Sequence, residues 1–336
     1  MKVGLKSDIF KNCTDERLVA IKYLLYLCCY KNRHEVVMEG QLPSNMEEKL
    51  DGELLLFLKV ASYASINGEK CHCEIMKRGD AYSDKPWFSV DEGIRYLSQP
   101  FMLILENSKN DAKFINTLIK VYGCNDLAKA MENGWMYYAN AGGCANVSNF
   151  IEGLISQYQG KKKFLRCFVI LDSDALYPTH ENPKSLATKE YLHDNNIPHH
   201  IWEKRMLENY MPIEALPKGE WKQAYIHMSP QQMDHFAIQG GFKKDERFVS
   251  DKHTTSRADL LSDQAIFYSD VSEENYRKLS RGLELPNFKD AFPARFENQD
   301  TVNRATLQER TKHQTNPNEL EGVLREISQN LAMKEE

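Results

Sequence analysis

Two short apolar segments that end abruptly in acidic residues constrain this sequence more than any other feature. Residues 101–105, with the sequence FMLIL, are followed by Glu106, and residues 168–171, with the sequence FVIL, are followed by Asp172, Ser173 and Asp174. Apolar runs of this length, bounded by polar residues, are typical of strands buried on both faces of a parallel sheet. We therefore predict an α/β fold in which both runs belong to one central parallel sheet.

The acidic residues that follow these strands predict a site for a divalent cation. In open α/β sheets, ligands bind beyond the carboxyl ends of the strands, where Glu106, Asp172 and Asp174 would meet. Carboxylates held together repel one another, and burial raises this cost, unless a cation lies among them. Oxygen ligands favour a hard ion such as Mg²⁺ or Mn²⁺. We predict these three residues as the main ligands, with Asp111 and Glu208 assisting or holding a second ion.

The composition is that of a soluble globular protein, with 42% hydrophobic and 27% charged residues. A chain of 336 residues predicts two or three structural units. Because no run of about 18 apolar residues occurs, we expect no membrane span. The first residues lack the apolar core of a signal peptide, which predicts a cytoplasmic protein. The spacing of the eight cysteines predicts reduced thiols.

A net charge of −5 does not exclude nucleic acid as a substrate, because binding needs only a local basic surface. Lys204 and Arg205 precede Glu208, and on a helix Arg205 and Glu208 would face the same side. We therefore predict that Lys204 and Arg205 grip a phosphate beside the metal ligands. A turn of small residues contains Gly142 and Gly143, which would let the backbone approach the site closely.

Three regions are predicted along the chain. Residues 1–95 have mainly helical patterns and are interpreted as an accessory or dimerisation region, with Asn67 and Gly68 in a turn that starts a possible hairpin. In residues 96–216, strands near positions 101, 136, 167 and 199 alternate with helices, which predicts right-handed crossovers and a parallel sheet. Residues 217–336 are interpreted as a mixed region that ends in an amphipathic helix.

The start of the last helix has a recognisable pattern. Asn316 is predicted as the cap, Pro317 as the first helical residue and Glu319 as the acid of a capping box. An apolar stripe follows, which we expect to pack on the body of the protein or on a partner, and which consists of Leu320, Val323, Leu324, Ile327 and Leu331.

The order of these elements resembles the TOPRIM domain of topoisomerases, primases and certain nucleases. That domain has an acid after its first strand, a small-residue turn after its second and Asp-x-Asp after its third. Residues 106–114, ENSKNDAKF, resemble the E-N-x-x-x-D-x-x-F opening of overcoming-lysogenization-defect (OLD) type nucleases. Residues 205–210, RMLENY, resemble their R-x-x-E-N-Y element. The resemblance covers about residues 96–212.

The resemblance implies a metal-dependent nuclease that hydrolyses phosphodiester bonds of DNA or RNA, with a central TOPRIM domain. OLD proteins usually carry an ATPase domain, whereas this sequence contains no P-loop motif. The stand-alone arrangement is similar to TOPRIM effectors of antiphage defence, which implies a separate ATPase or sensor subunit. We also expect a homo-oligomer. Lys243, Lys244 and Lys252 are unranked candidates for a catalytic lysine of the kind found in some of these nucleases.

Other interpretations remain open at this point. A primase or topoisomerase would share the metal site, although no additional zinc module or separate nucleophile domain is evident. A haloacid dehalogenase-type phosphatase also uses Asp-x-Asp, but Leu176 stands where that family has Thr or Val. The TOPRIM domain could also be an inactive scaffold that binds nucleic acid or a protein. Taken singly, Glu106 and Asp111 could equally be helix-capping residues.

Overall fold

The fold contains two parallel sheets. The computed structural model describes residues 1–30, 33–66, 71–77, 85–242 and 257–331. The first sheet has the strand order β2-β1-β3-β4 and the second the order β6-β5-β7-β8, with parallel pairing throughout both. The strands are β1 (Lys2–Lys6), β2 (Glu35–Glu39), β3 (Cys73–Ile75), β4 (Trp87–Phe88), β5 (Phe101–Leu105), β6 (Met136–Asn140), β7 (Cys167–Leu171) and β8 (His199–Ile201).

Helices connect and cover the strands. The first sheet is associated with α1 (Asp15–Cys29), α2 (Ser44–Glu47), α3 (Gly52–Ile66) and α4 (Val90–Ser98). The second sheet is associated with α5 (Ser108–Tyr122), α6 (Asn125–Glu132), α7 (Val147–Gln157) and α8 (Pro183–Asp194). The C-terminal region contains α9 (Glu220–Ile226), α10 (Pro230–His235), α11 (Ser262–Phe267), α12 (Glu273–Leu279), α13 (Phe288–Ala291), α14 (Arg304–Thr311) and α15 (Glu319–Leu331).

The second sheet agrees with the sequence-based expectation. All five residues of β5 and all five of β7 are buried, which matches strands covered on both faces. The four strands of this sheet begin at the predicted positions 101, 136, 167 and 199. The α/β class is therefore confirmed.

More of the N-terminal region is helix than strand, as predicted, but the prediction missed the first sheet, whose four strands all lie in this region. Only the three central residues of β1 and of β2 are buried, so their apolar runs are shorter than those of β5 and β7. The predicted hairpin is also wrong, since β3 and β4 pair in parallel. Asn67 and Gly68 lie outside the described residues.

The C-terminal end of α4 joins the two sheets. The ring of His34 contacts the carbonyl of Leu97 at 3.1 Å. Arg33 donates to the carbonyl of Gln99 at 2.8 Å, and Arg166 donates to the same carbonyl at 2.7 Å. Because the last carbonyls of a helix lack partners within it, cationic donors there satisfy the backbone and interact favourably with the helix dipole. Arg33, which precedes β2 of the first sheet, and Arg166, which precedes β7 of the second, therefore bind the same helix end.

The last helix begins at Glu319 rather than at Pro317. The predicted capping box is wrong, because the N–H of Asn316 donates to Glu203 and not to Glu319, although the Asn316 side chain does accept from the N–H of Asn318 at 3.2 Å. Glu319 is buried and its carboxylate accepts hydrogen bonds from across the fold. It contacts the ring of His200 at 2.9 Å and accepts from the backbone N–H of Glu203 at 2.7 Å and from the hydroxyl of Tyr210. These long-range hydrogen bonds, rather than a contact with the start of its own helix, fix the position of the Glu319 carboxylate.

The predicted apolar stripe of α15 is confirmed and packs on the body of the protein. Its side chains are buried in one hydrophobic cluster with β5, β7 and the C-terminal helices. The C-terminal region therefore shares its core with the second sheet. All eight cysteines are free thiols. Among the described residues, no helix is both long enough and apolar enough to cross a membrane.

Replacing Glu319 by Ala should strongly destabilise the fold. The change leaves the buried donors of Tyr210, Gln314 and the backbone of Glu203 without an acceptor. We expect the free energy of unfolding to fall by about 3 kcal/mol. Urea denaturation measures this loss. Glu326→Ala, at an exposed position of the same helix, is the control and should change stability little. Equal losses in both variants would contradict this account.

Candidate functional site

The carboxylate of Glu106 lies where three strands end. Glu106 follows β5, which is paired with β6 on one side and β7 on the other. One oxygen, Oε1, accepts from the backbone N–H of Asp172 at 3.0 Å, and the other, Oε2, accepts from that of Cys144 at 3.0 Å. A single side chain therefore connects the ends of β5 and β7 and the turn after β6.

The turn after β6 has the conformation that this contact needs. Gly142 and Gly143 have φ values of 78° and 110°, where a residue with a Cβ would be strained. The N–H of Gly143 donates to the carbonyl of Glu106 at 3.1 Å, so the turn runs alongside the first strand end. The glycines thus present the N–H of Cys144 to the carboxylate. Their predicted contact with a substrate stays a prediction.

Asp172, Ser173 and Asp174 connect β7 to the segment after β8. Oδ1 of Asp172 accepts from the N–H of Leu207 at 3.1 Å. The Ser173 hydroxyl donates to the carbonyl of Lys204 at 2.9 Å. The N–H of Asp174 donates to the carbonyl of Arg205 at 2.9 Å, and Asp174 has a left-handed φ of 51°. The Asp-x-Asp segment is therefore held in one conformation by backbone contacts.

Asp111 and Glu208 complete the acidic group. Asp111 lies in the first turn of α5 and accepts from the N–H of Asn107 at 2.9 Å. Glu208 lies in a short 3₁₀ turn, Leu207–Tyr210, directly after the backbone that Asp172 holds. Electrostatic interactions link these two acids with Glu106, Asp172 and Asp174. The charges of all five acids that were predicted from the sequence therefore interact at this edge of the sheet.

Burial and mutual repulsion raise the pKa values within this group. Burial, with the charges of the neighbouring acids, raises the pKa of Asp172 well above its usual range. Burial raises the pKa of Asp111 to about 7, and hydrogen bonding from Asn107 only partly opposes this. Burial likewise raises the pKa of Glu208 to about 6 and raises that of Glu106. Strongly perturbed carboxyl groups at a sheet edge are typical of functional sites.

Arg205 supplies positive charge close to the acidic group. Its side chain is 1% exposed, and its charge acts favourably with Asp172, Asp174 and Glu208. One of its N–H groups donates to the carbonyl of His235 at 3.4 Å. The prediction that Arg205 is an accessible phosphate ligand is therefore wrong, because the guanidinium is enclosed by protein. It acts instead as a buried countercharge for the carboxylates.

Lys204 is also buried, and its predicted phosphate contact is wrong for the same reason. The side chain is 0% exposed. Its ammonium group pairs with Asp234 and donates to the carbonyl of Arg310 at 2.8 Å. Asp234 also contacts the ring of His313 at 2.6 Å. Burial lowers the pKa of Lys204 to about 8. Lys204 thus ties the segment after β8 to the C-terminal region.

Sequence reasoning missed this supporting network. Asp234, Arg310 and His313 are far from Lys204 in sequence, and no local spacing connects them. One residue of the R-x-x-E-N-Y pattern does take part in the contact with the C-terminal region. Asn209 within it is buried and donates to the carbonyls of Met233 at 2.7 Å and Phe236 at 2.8 Å, which fixes α10 beside the site. Lys243, Lys244 and Lys252 lie outside the described residues.

The acids surround a small space but do not form a finished metal cage. A cavity of about 10 Å³, room for about one water molecule, is lined by Glu106, Asp111 and Asp172 together with apolar side chains. In the described part of the chain, no three Asp, Glu, His or Cys side chains converge as a ligand group. Glu106, Asp111 and Asp172 each accept hydrogen bonds from backbone N–H groups instead. Cation binding would require side-chain rearrangement.

Comparison with known proteins gave no match: no protein-family model matched the sequence, and no curated protein or solved structure was significantly similar to it. The fold and the site are therefore interpreted from their own geometry.

Replacing Asp111 by Asn should stabilise the metal-free protein at high pH. The amide keeps an acceptor for the N–H of Asn107 but removes a charge. The pKa of Asp111 is raised from 3.8 to about 7 on folding, so its ionisation costs stability as the pH rises from about 4 to 7. We expect nearly equal stability near pH 4 and a gain of about 4 kcal/mol for the variant at pH 8, since each pKa unit corresponds to about 1.4 kcal/mol.

Chemical denaturation in EDTA at several pH values measures this difference. Asp91→Asn is the matched control, because Asp91 is also a first-turn helix acid but is exposed. The control should show no gain at high pH. A variant at position 111 that is less stable than the wild type at pH 8 would show that this acid is structural.

Proposed function

We propose that this protein is a divalent-metal-dependent nuclease whose second sheet forms a TOPRIM-like catalytic domain. One observation carries the proposal. Five carboxyl groups from four separate segments lie near enough for their charges to interact at the carboxyl edge of a parallel sheet, where α/β proteins bind ligands. The strand order β6-β5-β7-β8, with an acid after β5 and two after β7, supports the resemblance to OLD-type nucleases.

The chemistry of the donor set fits a hard cation. Glu106, Asp111, Asp172, Asp174 and Glu208 offer only oxygen donors, which suit Mg²⁺ or Mn²⁺. Their negative charge exceeds what a single guanidinium, that of the neighbouring buried arginine, can balance. A divalent cation, when bound, would stabilise the charge that develops on a phosphodiester during hydrolysis. Asp172 and Asp174 are the proposed main ligands together with Glu106, and the other two acids assist.

The contacts of Glu106 suit it to hold the site in position, because both of its oxygens accept backbone N–H groups, from Cys144 and Asp172. The raised pKa of Asp111 belongs to the metal-free site, since a bound cation would favour the ionised carboxylate and lower that pKa. In this proposal both acids supply negative charge to the cation, and Glu106 also keeps the three strand ends aligned.

The wider role follows from the resemblance alone. A TOPRIM effector without an ATPase domain implies a separate ATPase or sensor subunit and a part in antiphage defence. Both stay predictions, as do the choice between DNA and RNA and the cytoplasmic location.

Divalent cations should bind at this site and stabilise the protein. We expect Mn²⁺ or Mg²⁺, added to EDTA-treated and dialysed protein, to raise its melting temperature by several degrees, because binding relieves carboxylate repulsion. Asp172→Asn and Asp174→Asn should abolish this shift without unfolding the protein. Asp91→Asn should keep it. Equal Mn²⁺ shifts in all four proteins would rule out this metal site.

The same carboxylates should be required for cleavage. We expect the wild-type protein to cut plasmid, single-stranded DNA or RNA with Mg²⁺ or Mn²⁺ and to stop in EDTA. Asp172→Asn and Glu106→Gln should lower the rate by about a thousandfold, which corresponds to several kcal/mol of transition-state stabilisation. Gel-based cleavage assays measure the rates, and Asp91→Asn serves as the active control. Near wild-type cleavage by Glu106→Gln would remove that residue from the site.

A further inference from the structure

The outer faces of α1 and α3 carry a group of exposed apolar and aromatic side chains. Seven large residues there are between 43% and 73% exposed. They are Val19, Tyr23 and Tyr26 on α1, Tyr30 directly after its last residue, and Leu56, Val60 and Tyr63 on α3. We call these seven residues the α1–α3 surface.

The spacing places each set on one side of its helix. The residues on and directly after α1 are separated by four, three and four positions, and those on α3 by four and three, which is the spacing of a single helical face. The opposite faces are buried against the first sheet through Ile21, Leu24 and Leu25 on α1 and Leu54 and Leu58 on α3. Both helices are therefore apolar on the side that faces solvent as well as on the side that faces the core.

An α-helix that is apolar on all sides is normally covered on all sides. Residues 53–63 of α3 include only Glu53 and Lys59 as charged positions, and residues 23–30, on and directly after α1, include none. Scattered exposed apolar side chains need no explanation, but a contiguous row on each of two neighbouring helices does. Something is expected to cover these faces in the working protein.

The two rows adjoin where α1 meets the start of α3. The hydroxyl of Tyr26 donates to Asp51, the residue before α3, at 2.9 Å. Lys22 pairs with the same carboxylate at 3.5 Å. A residue of the α1 row is thus bound to the beginning of the helix that carries the other row, so the two rows lie on directly linked neighbouring helices.

The size of this surface matches one side of a protein dimer. Taking about 200 Å² for a fully exposed large side chain, the seven residues expose about 850 Å² in total. A standard interface buries about 800 Å² on each partner. Apolar patches on monomeric proteins are typically about 300–600 Å². Tyrosine, which supplies four of the seven residues, is enriched in such interfaces.

We propose that the α1–α3 surface is the contact between two copies of this chain in a two-fold symmetric dimer. In such a dimer the same patch meets itself, and seven apolar or aromatic side chains can pack against their own copies without like-charge repulsion. The charged residues near the patch, Lys22, Asp51, Glu53 and Lys59, include two of each sign and allow cross-pairing between the copies. The proposal is independent of the nuclease assignment, and it replaces α15, whose apolar stripe lies in the core, as the candidate contact.

Sedimentation equilibrium of the purified full chain at micromolar concentrations tests this inference. The wild-type protein should be a dimer. Val60→Glu and Tyr63→Glu each place an uncompensated charge within the contact and should weaken dimerisation by about 100-fold, to monomer. Both side chains point outward, so thermal unfolding of the monomers should remain cooperative.

Ile266→Glu is the matched control. Ile266 is 71% exposed, like the residues of the α1–α3 surface, but lies on α11. This variant should remain a dimer, which separates a specific contact from a general effect of surface hydrophobicity. A monomeric wild-type protein would overturn the proposal. So would folded Val60→Glu and Tyr63→Glu variants that remain dimers, or equal weakening by Ile266→Glu.

Discussion

The two hydrogen bonds that the Glu106 carboxylate accepts are the contacts on which the site depends. Parallel strands bring their ends to one edge, but the loops that follow are free to diverge. Here one carboxylate takes a backbone N–H from the residue after β7 and another from the turn after β6. Because both donors belong to the backbone, the arrangement depends on loop conformation rather than on neighbouring side chains. The positive φ values of Gly142 and Gly143 follow from the same requirement.

Charge is the second constraint on this edge of the sheet. Glu106, Asp111, Asp172, Asp174 and Glu208 share a partly buried space with one enclosed guanidinium. Such a group lowers its electrostatic energy either by taking up protons or by binding a cation, and the raised pKa values reflect the first route. Lys204, although adjacent to Arg205 in sequence, does not help, because its charge is already paired with Asp234.

Sequence reasoning worked where a signal was local and strong. The runs of β5 and β7 are buried along their whole length, so their strands and the acids after them could be placed without a structure. The strands β3 and β4 have three and two residues, too few to produce a periodic pattern. On α1, apolar residues occur on all sides, so the sequence did not distinguish buried Ile21 from exposed Val19.

Long-range pairs were not accessible to the same reasoning. The position of Glu319 three residues after Asn316 predicts a capping box, yet its partners are His200, Glu203 and Tyr210, more than a hundred residues earlier. Proximity of Lys204 and Arg205 to Glu208 likewise suggested a shared surface. Residues that are polar and adjacent in sequence need not be exposed to solvent. Lys204 and Arg205 are both buried, because the C-terminal region covers the segment after β8.

The hydrogen bonds between residues 200–210 and Glu319 affect the order in which the protein folds during its synthesis. The segment that carries Glu208 is held through Tyr210 and Glu203 by groups near residues 315–319. Contacts between positions so far apart form late in folding, because a long loop must first close. During synthesis on the ribosome, the acidic edge therefore stays unfinished until residues 315–319 have emerged. A nascent or prematurely terminated chain would carry the acidic residues without the assembled site.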